Sequence, residues 1–285
     1  MVGLLFLMGV VSTAVAMEPD HDVINPDTES NDSKPSLAIS SDGAGWVSWH
    51  AYLKPSCDRV LARELRPGGL GPVHQVSGEG TVHGAPVTVA VGSGGAWVFW
   101  SALVDDRWRL MGRQVEDGRR RLSVVLSGDD SDALMPAAVA LSGNRLLVTW
   151  SARTEGRFRM WSRVLGEDGW KNPVAVSRDR CDAFRPAVAA ERDGAVWIFW
   201  DCYEDGDYSV RGRRLLPEPG AEEQISPRGH NCLIPKALAT DQGVAVAWVQ
   251  SSDVINAGGA IGQIHTLHMA LRHEGGWRVV RDAEG

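Results

Sequence analysis

The sequence predicts an all-β ring of five four-stranded antiparallel sheets, a β-propeller. Three observations predict it. A proline and a tryptophan recur together, at Pro35, Pro86, Pro136, Pro186 and Pro235 and at Trp49, Trp100, Trp150, Trp200 and Trp248. Each copy carries the same glycine-bearing turns. Bulky apolar residues fall on both sides of one strand per copy. A period of roughly 40–50 residues holding four strands is what radially repeated sheets require.

The elements follow in order within each repeat. The proline opens a short run: "PSLAIS", "PVTVAV", "PAAVAL", "PAVAA" or "PKALAT". Its small residues (Ala38, Ala90, Ala140, Ala189, Ala239) suit an innermost strand, where sheets converge. A turn follows at Asp42-Gly43, Gly94-Gly95, Gly143-Asn144, Asp193-Gly194 or Gln242-Gly243. Such dipeptides admit positive φ and close hairpins. The second run is "WVSW", "WVFW", "LLVTW", "WIFW" or "VAVAW". Trp97 and Trp100 are three apart, so they point to opposite faces of a strand, as do Trp46/Trp49 and Trp197/Trp200. A sheet apolar on both faces must be buried on both, and stacked blades provide that. Turns at Asp105-Asp106, Glu155-Gly156 and Asp205-Gly206 lead to a third run, such as "LMGRQV" or "VRGRRL". Another glycine turn leads to the fourth: "HQVS", "VVLS", "VAVS", "EQIS" or "RVV".

The ends frame this ring. Residues 1–16, "MVGLLFLMGVVSTAVA", form an apolar run too short for a comfortable membrane span, and end in the Ala-x-Ala of a signal-peptidase site. No stable membrane span is expected after it, and the expected location is secreted or periplasmic. Residues 17–34 form an N-terminal segment in which "DVIN", residues 22–25, matches the fourth-strand pattern. That segment offers a strand to close the ring, and residues 35–282 hold the five repeats. "WRVV", 277–280, already gives the fifth repeat a fourth strand. One fourth strand is therefore in excess of five blades: it is spare, or the chain is part of a six-bladed or larger ring. Among 285 residues, 32 Gly and 12 Trp against 3 Tyr and 5 Phe agree with a turn-rich β fold. The net charge of −7 argues against nucleic acid as a partner.

The pattern P-x-x-x-A…G-x-x-W-V-x-W resembles the repeat unit of TolB-like and sialidase-like propellers of secreted bacterial proteins. The resemblance covers residues 22–282 and implies fold rather than chemistry. The sialidase Asp-box, S-x-D-x-G-x-T-W, is missing from the third turns, and the WD dipeptide is missing too.

Ligands of such rings sit at the mouth of the central channel. The positions four before each proline (Asn31, Val82, Asp132, Asp182, Asn231) and those after each closing tryptophan (His50, Ser101, Ser151, Asp201, Val249) are expected on one face. His50, Asp132, Asp182, Asp201 and Asn231 are the ligand-binding candidates. An Asx turn launching the inner strand is the competing reading of the Asp/Asn set. The positions after Trp vary between copies, which favours His50 and Asp201 as site residues. Arg63, Arg113, Arg163 and Arg213 recur at intervals of fifty and are read as inter-blade struts. Of Cys57, Cys181, Cys202 and Cys232, the pair Cys181–Cys202 is the expected disulfide, because one precedes an inner strand and the other follows its antiparallel neighbour. No nucleophile triad, metal-ligand spacing or phosphate loop stands out, so no catalytic residue, metal or cofactor is expected.

These features support a secreted, non-catalytic propeller binding a protein or glycan ligand on its channel face. A propeller-type glycoside hydrolase of sialidase-like kind, using carboxylates such as Asp132, Asp182 and Asp201, and a lectin are the rivals.

Overall fold

The structure, a computed structural model, describes residues 23–280 apart from 28, 41–42, 54–56, 67, 79–81, 93, 117–118, 130, 179, 256–260 and 274. The expected signal peptide, residues 1–16, lies outside the described residues. So do residues 17–22 and 28 of the N-terminal segment 17–34, whose last residues, 31–34, belong to the first strand.

Among the described residues the secondary structure is β throughout. Blade one comprises β1 (Asn31–Ile39), β2 (Gly45–Tyr52), β3 (Asp58–Arg66) and β4 (Gly69–Gln75). Blade two comprises β5 (Val87–Val91), β6 (Gly95–Val104), β7 (Arg107–Glu116) and a fourth strand in two pieces, β8 (Arg119–Arg120) and β9 (Val124–Val125). Blade three repeats this with β10 (Asp132–Ala140), β11 (Leu146–Thr154), β12 (Arg157–Gly166), β13 (Gly169–Trp170) and β14 (Val174–Ala175). Blade four holds β15 (Asp182–Ala190), β16 (Val196–Glu204), β17 (Asp207–Leu216) and β18 (Glu222–Gln224). Blade five holds β19 (Cys232–Thr240), β20 (Gly243–Ile255), β21 (Ile261–His273) and β22 (Gly276–Val279). Within each sheet, sequence neighbours pair antiparallel from the inner strand outward. The ring therefore has the five four-stranded blades that the repeat implies.

The two-sided apolar pattern has the expected consequence. Trp100 packs on Val60 and Val76 of blade one, while Trp97 and Phe99, on the other face of β6, pack toward blade three. There Trp170 meets Trp97 edge-on at 5.4 Å. Blade four repeats the arrangement, with Trp277 of blade five edge-on to Trp197 at 5.7 Å. The ring below Phe199 leaves no room for a side chain: a Cβ on Gly212 would lie 2.6 Å from Phe199 Cδ1.

The polar residues of the repeat are struts. In four blades the serine ending the fourth run accepts the amide of a third-strand residue: Ser77 from Val60, Ser127 from Leu110, Ser177 from Met160 and Ser226 from Val210. The recurring arginines bridge blades. Arg163 donates through Nε to Lys171 O and through Nη1 to Leu126 O of blade two. Arg213 does the same to Gly220 O and to Val176 O of blade three. Each guanidinium thus holds the blade before its own.

Arg63 makes the same pair of contacts, to Gly71 O and to Ile24 O at 2.7 Å. Ile24 therefore stands where a fourth strand of a preceding blade would stand. The "DVIN" segment is not joined to blade five as a closing strand. Among its described residues, Val23 to Asn25 form no ladder, and Ile24 packs on Val47, Trp49 and Ala51 of blade one.

Candidate functional site

The inner strands carry the feature that builds the channel mouth. In four blades the ladder slips around the proline: between Ser33 and Ser36, Leu134 and Ala137, Phe184 and Ala187, and Leu233 and Lys236. Proline has no N–H to give the ladder. The residue before it takes up the slack with a left-handed φ: Lys34 53°, Met135 55°, Arg185 44° and Ile234 56°. That conformation is costly for any residue with a Cβ, and most for β-branched Ile234. Strain repeated at one ring of positions points to a site, because the fold must over-determine such residues to keep them.

The five X-Pro steps surround a central cavity of about 530 Å3. Its charged lining residues are Lys34, Arg185 and Lys236, and no lining residue is acidic. Trp108 contributes an aromatic wall, and Ser101 a buried hydroxyl with no hydrogen-bond partner. In a chain of net charge −7, this mouth is a local cationic patch.

Asp201 sits directly behind that lining and is fully buried. Its Oδ2 accepts from Arg185 Nε at 2.5 Å and from the Ile234 amide at 3.3 Å. One carboxylate thus orients two of the strained pre-proline residues, in adjacent blades. Its Oδ1 is buried with no partner from another residue. Burial raises the Asp201 carboxyl to about 6, against the opposing pull of the Arg185 guanidinium. Arg185 lies over Tyr208, with its Cζ 5.4 Å from the ring centroid. Tyr208 in turn neighbours Phe184, and Phe184 neighbours Phe158. The guanidinium is therefore held in place by a carboxylate on one side and a ring on the other.

Of the expected ligand-binding residues, only Asp201 belongs to this mouth, and it acts from behind Arg185. Asp132 and Asp182 do not line the cavity. Asp132 Oδ1 accepts the Trp108 amide at 3.0 Å, and Asp182 Oδ1 accepts the Phe158 amide at 2.7 Å. Both clamp the third strand of the preceding blade, a structural role that differs from the Asx turn expected as the alternative, because the acceptor reaches an amide 24 residues back rather than one in its own turn. Asn231 also lies off the mouth, its amide donated to Asp207 Oδ1 at 2.8 Å. His50, on β2, does not line the cavity; its Nε2 is 3.4 Å from Asp58 Oδ2 and its Nδ1 3.4 Å from Ser33 Oγ. Asp58 also faces buried His83, whose imidazole burial holds below its usual value. Sequence reasoning missed Lys34, Arg185 and Lys236. The available signal was the residue beside each proline, which changes from copy to copy while the proline does not. Cys181 and Cys202 form a disulfide, with Cα atoms 5.6 Å apart. Cys57 and Cys232 are free thiols, and burial raises that of Cys232. Among the described residues no cluster of His, Cys, Asp or Glu could hold a metal ion, and no helix is long and apolar enough to cross a membrane.

No family model matches the chain, and no curated protein matches it. Solved structures do. A protein of unknown function from Dyadobacter fermentans superposes with a TM-score of 0.60 at 11% identity, over 90% of this chain and 95% of its own. A Hadza microbial sialidase gives 0.58 at 11% identity, over 86% of this chain and 57% of its own. A family-93 α-L-arabinofuranosidase of Fusarium graminearum gives 0.54 at 14% identity, over 82% of this chain and 76% of its own. The chain therefore has a sialidase-like β-propeller fold, shared with glycoside hydrolases. At these identities the likeness is one of fold, and function must come from the mouth.

Proposed function

We propose that the protein is a secreted or periplasmic propeller that binds an acidic glycan at its channel mouth without cleaving it. The observation that carries this reading is the Arg185–Asp201 pair. It presents a fixed guanidinium to a cavity that also carries Lys34, Lys236 and Trp108. A planar guanidinium suits a carboxylate. An indole face suits the apolar side of a pyranose. The disulfide favours an oxidising compartment. Against cleavage stands the use already made of each carboxylate. Asp132 and Asp182 are spent on backbone amides, and Asp201 on Arg185. A glycosidase needs two carboxyl groups facing one another across the bond.

Two observations favour the hydrolase reading: the solved structures of like fold include a sialidase and an arabinofuranosidase, and a buried carboxyl near 6 has the acidity of a general acid. The two readings separate on one preparation. A glycan array is to be probed with the purified protein beside a panel of sialidase and glycosidase substrates. Binding confined to acidic glycans, with no turnover, is the expected result. Turnover that Asp201→Asn abolishes would replace the binding reading by the hydrolase one.

A further inference from the structure

The five blades make four sealed seams and one bare one. Inner strands pack in sequence, β1 on β5, β5 on β10, β10 on β15 and β15 on β19, and no comparable packing joins β19 to β1. Register identifies the residues that face the gap. Val60, Leu110, Met160 and Val210 occupy one third-strand position and are all 0% exposed, each covered by the next blade. Leu267 occupies that position in blade five, opposite Val249 as Val210 is opposite Asp201, and is 78% exposed. On the inner strand, Leu238 stands where Val89 and Ala189 are buried, and is 68% exposed.

The other side of the gap is bare in the same way. Leu37 and Ile39 of β1 correspond to Val188 and Ala190, which pack into the seam with blade three. Here they are 59% and 66% exposed. Ile24 covers Val47, Trp49 and Ala51 as Val76 covers Val98, Trp100 and Ala102. At the sealed seams a third-strand residue lies beside that fourth-strand residue, as Leu110 lies beside Leu126. Beside Ile24 there is instead a cavity of about 190 Å3 reaching Trp49 and Ser33.

We propose that this gap receives a three-stranded antiparallel sheet of the same repeat, beside which residues 23–25 already stand in the fourth-strand position. Its second strand would lay a tryptophan on Leu267, as Trp248 lies on Val210. Its third strand would fill the cavity beside Ile24. Its inner strand would add a sixth X-Pro step to the mouth, between Lys236 and Lys34, the two lysines that flank the gap. A second copy of the whole chain fits poorly. Ile24, held by Arg63, stands at the fourth-strand position of a blade whose three inner strands would lie in the gap, and a whole second chain brings its own fourth strands.

The test uses the full chain and the same chain extended at its C-terminus by a copy of residues 182–216, the first three strands of blade four. The full chain is expected to be a monomer that binds an apolar dye, and Leu37→Ser with Leu267→Asp should remove most of that dye signal at little change in Tm. The extended chain is expected to melt several degrees higher and to lose the dye signal, and Leu267→Asp should cancel both gains. A dimeric full chain that Leu267→Asp dissociates would give the gap to a second copy and overturn the proposal. So would a monomer whose dye binding the double substitution leaves unchanged, or an extension that folds and leaves Tm and dye binding where they were.

Discussion

Blade four holds two aspartates on neighbouring strands, and they do different work. Asp182, at the start of β15, repeats Asp132 of blade three and clamps a backbone amide of the blade before it. Asp201, on β16 across from Phe184, has no acidic counterpart at the equivalent position of any other blade, where His50, Ser101, Ser151 and Val249 stand. It is buried, raised to about 6, and bonded to the one arginine that lines the mouth. Repetition marks the scaffold and its breach marks the site, even when the side chain is the same.

That contrast can be broken at several points. The largest effect is expected from Arg185→Ala, which strips Asp201 of its charged partner. A loss of about 2–3 kcal/mol at pH 7 is expected, discounted because solvent reaches the guanidinium. The sign of its pH dependence is fixed. A carboxyl raised in the fold binds its proton there first, so the stability it supports is present at low pH and lost as pH rises. The variant should therefore approach wild-type stability near pH 4 and fall away above pH 6, as denaturant titrations at both pH values would show. Reduction of Cys181–Cys202, or Cys181→Ser with Cys202→Ser, should cost a similar amount. The bridge closes a loop of sequence separation 21, worth about 3 kcal/mol on chain-entropy grounds, and differential calorimetry with and without reductant reads it.

The wild-type fold has a pH dependence of its own, and a carboxyl moved from 3.8 to about 6 makes it comparable to the first effect, roughly 3 kcal/mol across the interval. Stability should decline between about pH 4 and pH 6 through Asp201, and Asp201→Asn should flatten that part of the profile. A smaller loss, about 1–2 kcal/mol, is expected from Asp182→Ala, which leaves the Phe158 amide without its acceptor. Its glycan binding should be unchanged, and an altered affinity would place Asp182 in the site after all.

The fold was legible because its cause is periodic. Tryptophans three apart demand burial on two faces, and proline with glycine turns sets the strand count. The Arg63, Arg163 and Arg213 struts were legible for the same reason. The mouth was legible only in Asp201. A residue before proline is expected to be extended, so nothing local announces that Lys34, Met135, Arg185 and Ile234 adopt the left-handed region and turn to the axis. Only the ring, with Asp201 holding Arg185 and Ile234 together, imposes it. His50 broke the repeat as Asp201 does, but its partners Ser33 and Asp58 lie in its own blade, and it is not among the residues lining the cavity.

The central claim is that Arg185, backed by Asp201, takes the carboxylate of a sugar. It is tested most directly by calorimetric titration of the protein with N-acetylneuraminic acid and galacturonic acid, and with neutral galactose, at pH 7 and pH 5. Saturable binding of an acidic sugar and not of galactose is expected. It should strengthen at pH 5, where protonation of Asp201 frees the guanidinium, and fall by at least about tenfold in Arg185→Ala. Equal binding of galactose, or acid binding that Arg185→Ala leaves intact, would contradict the account.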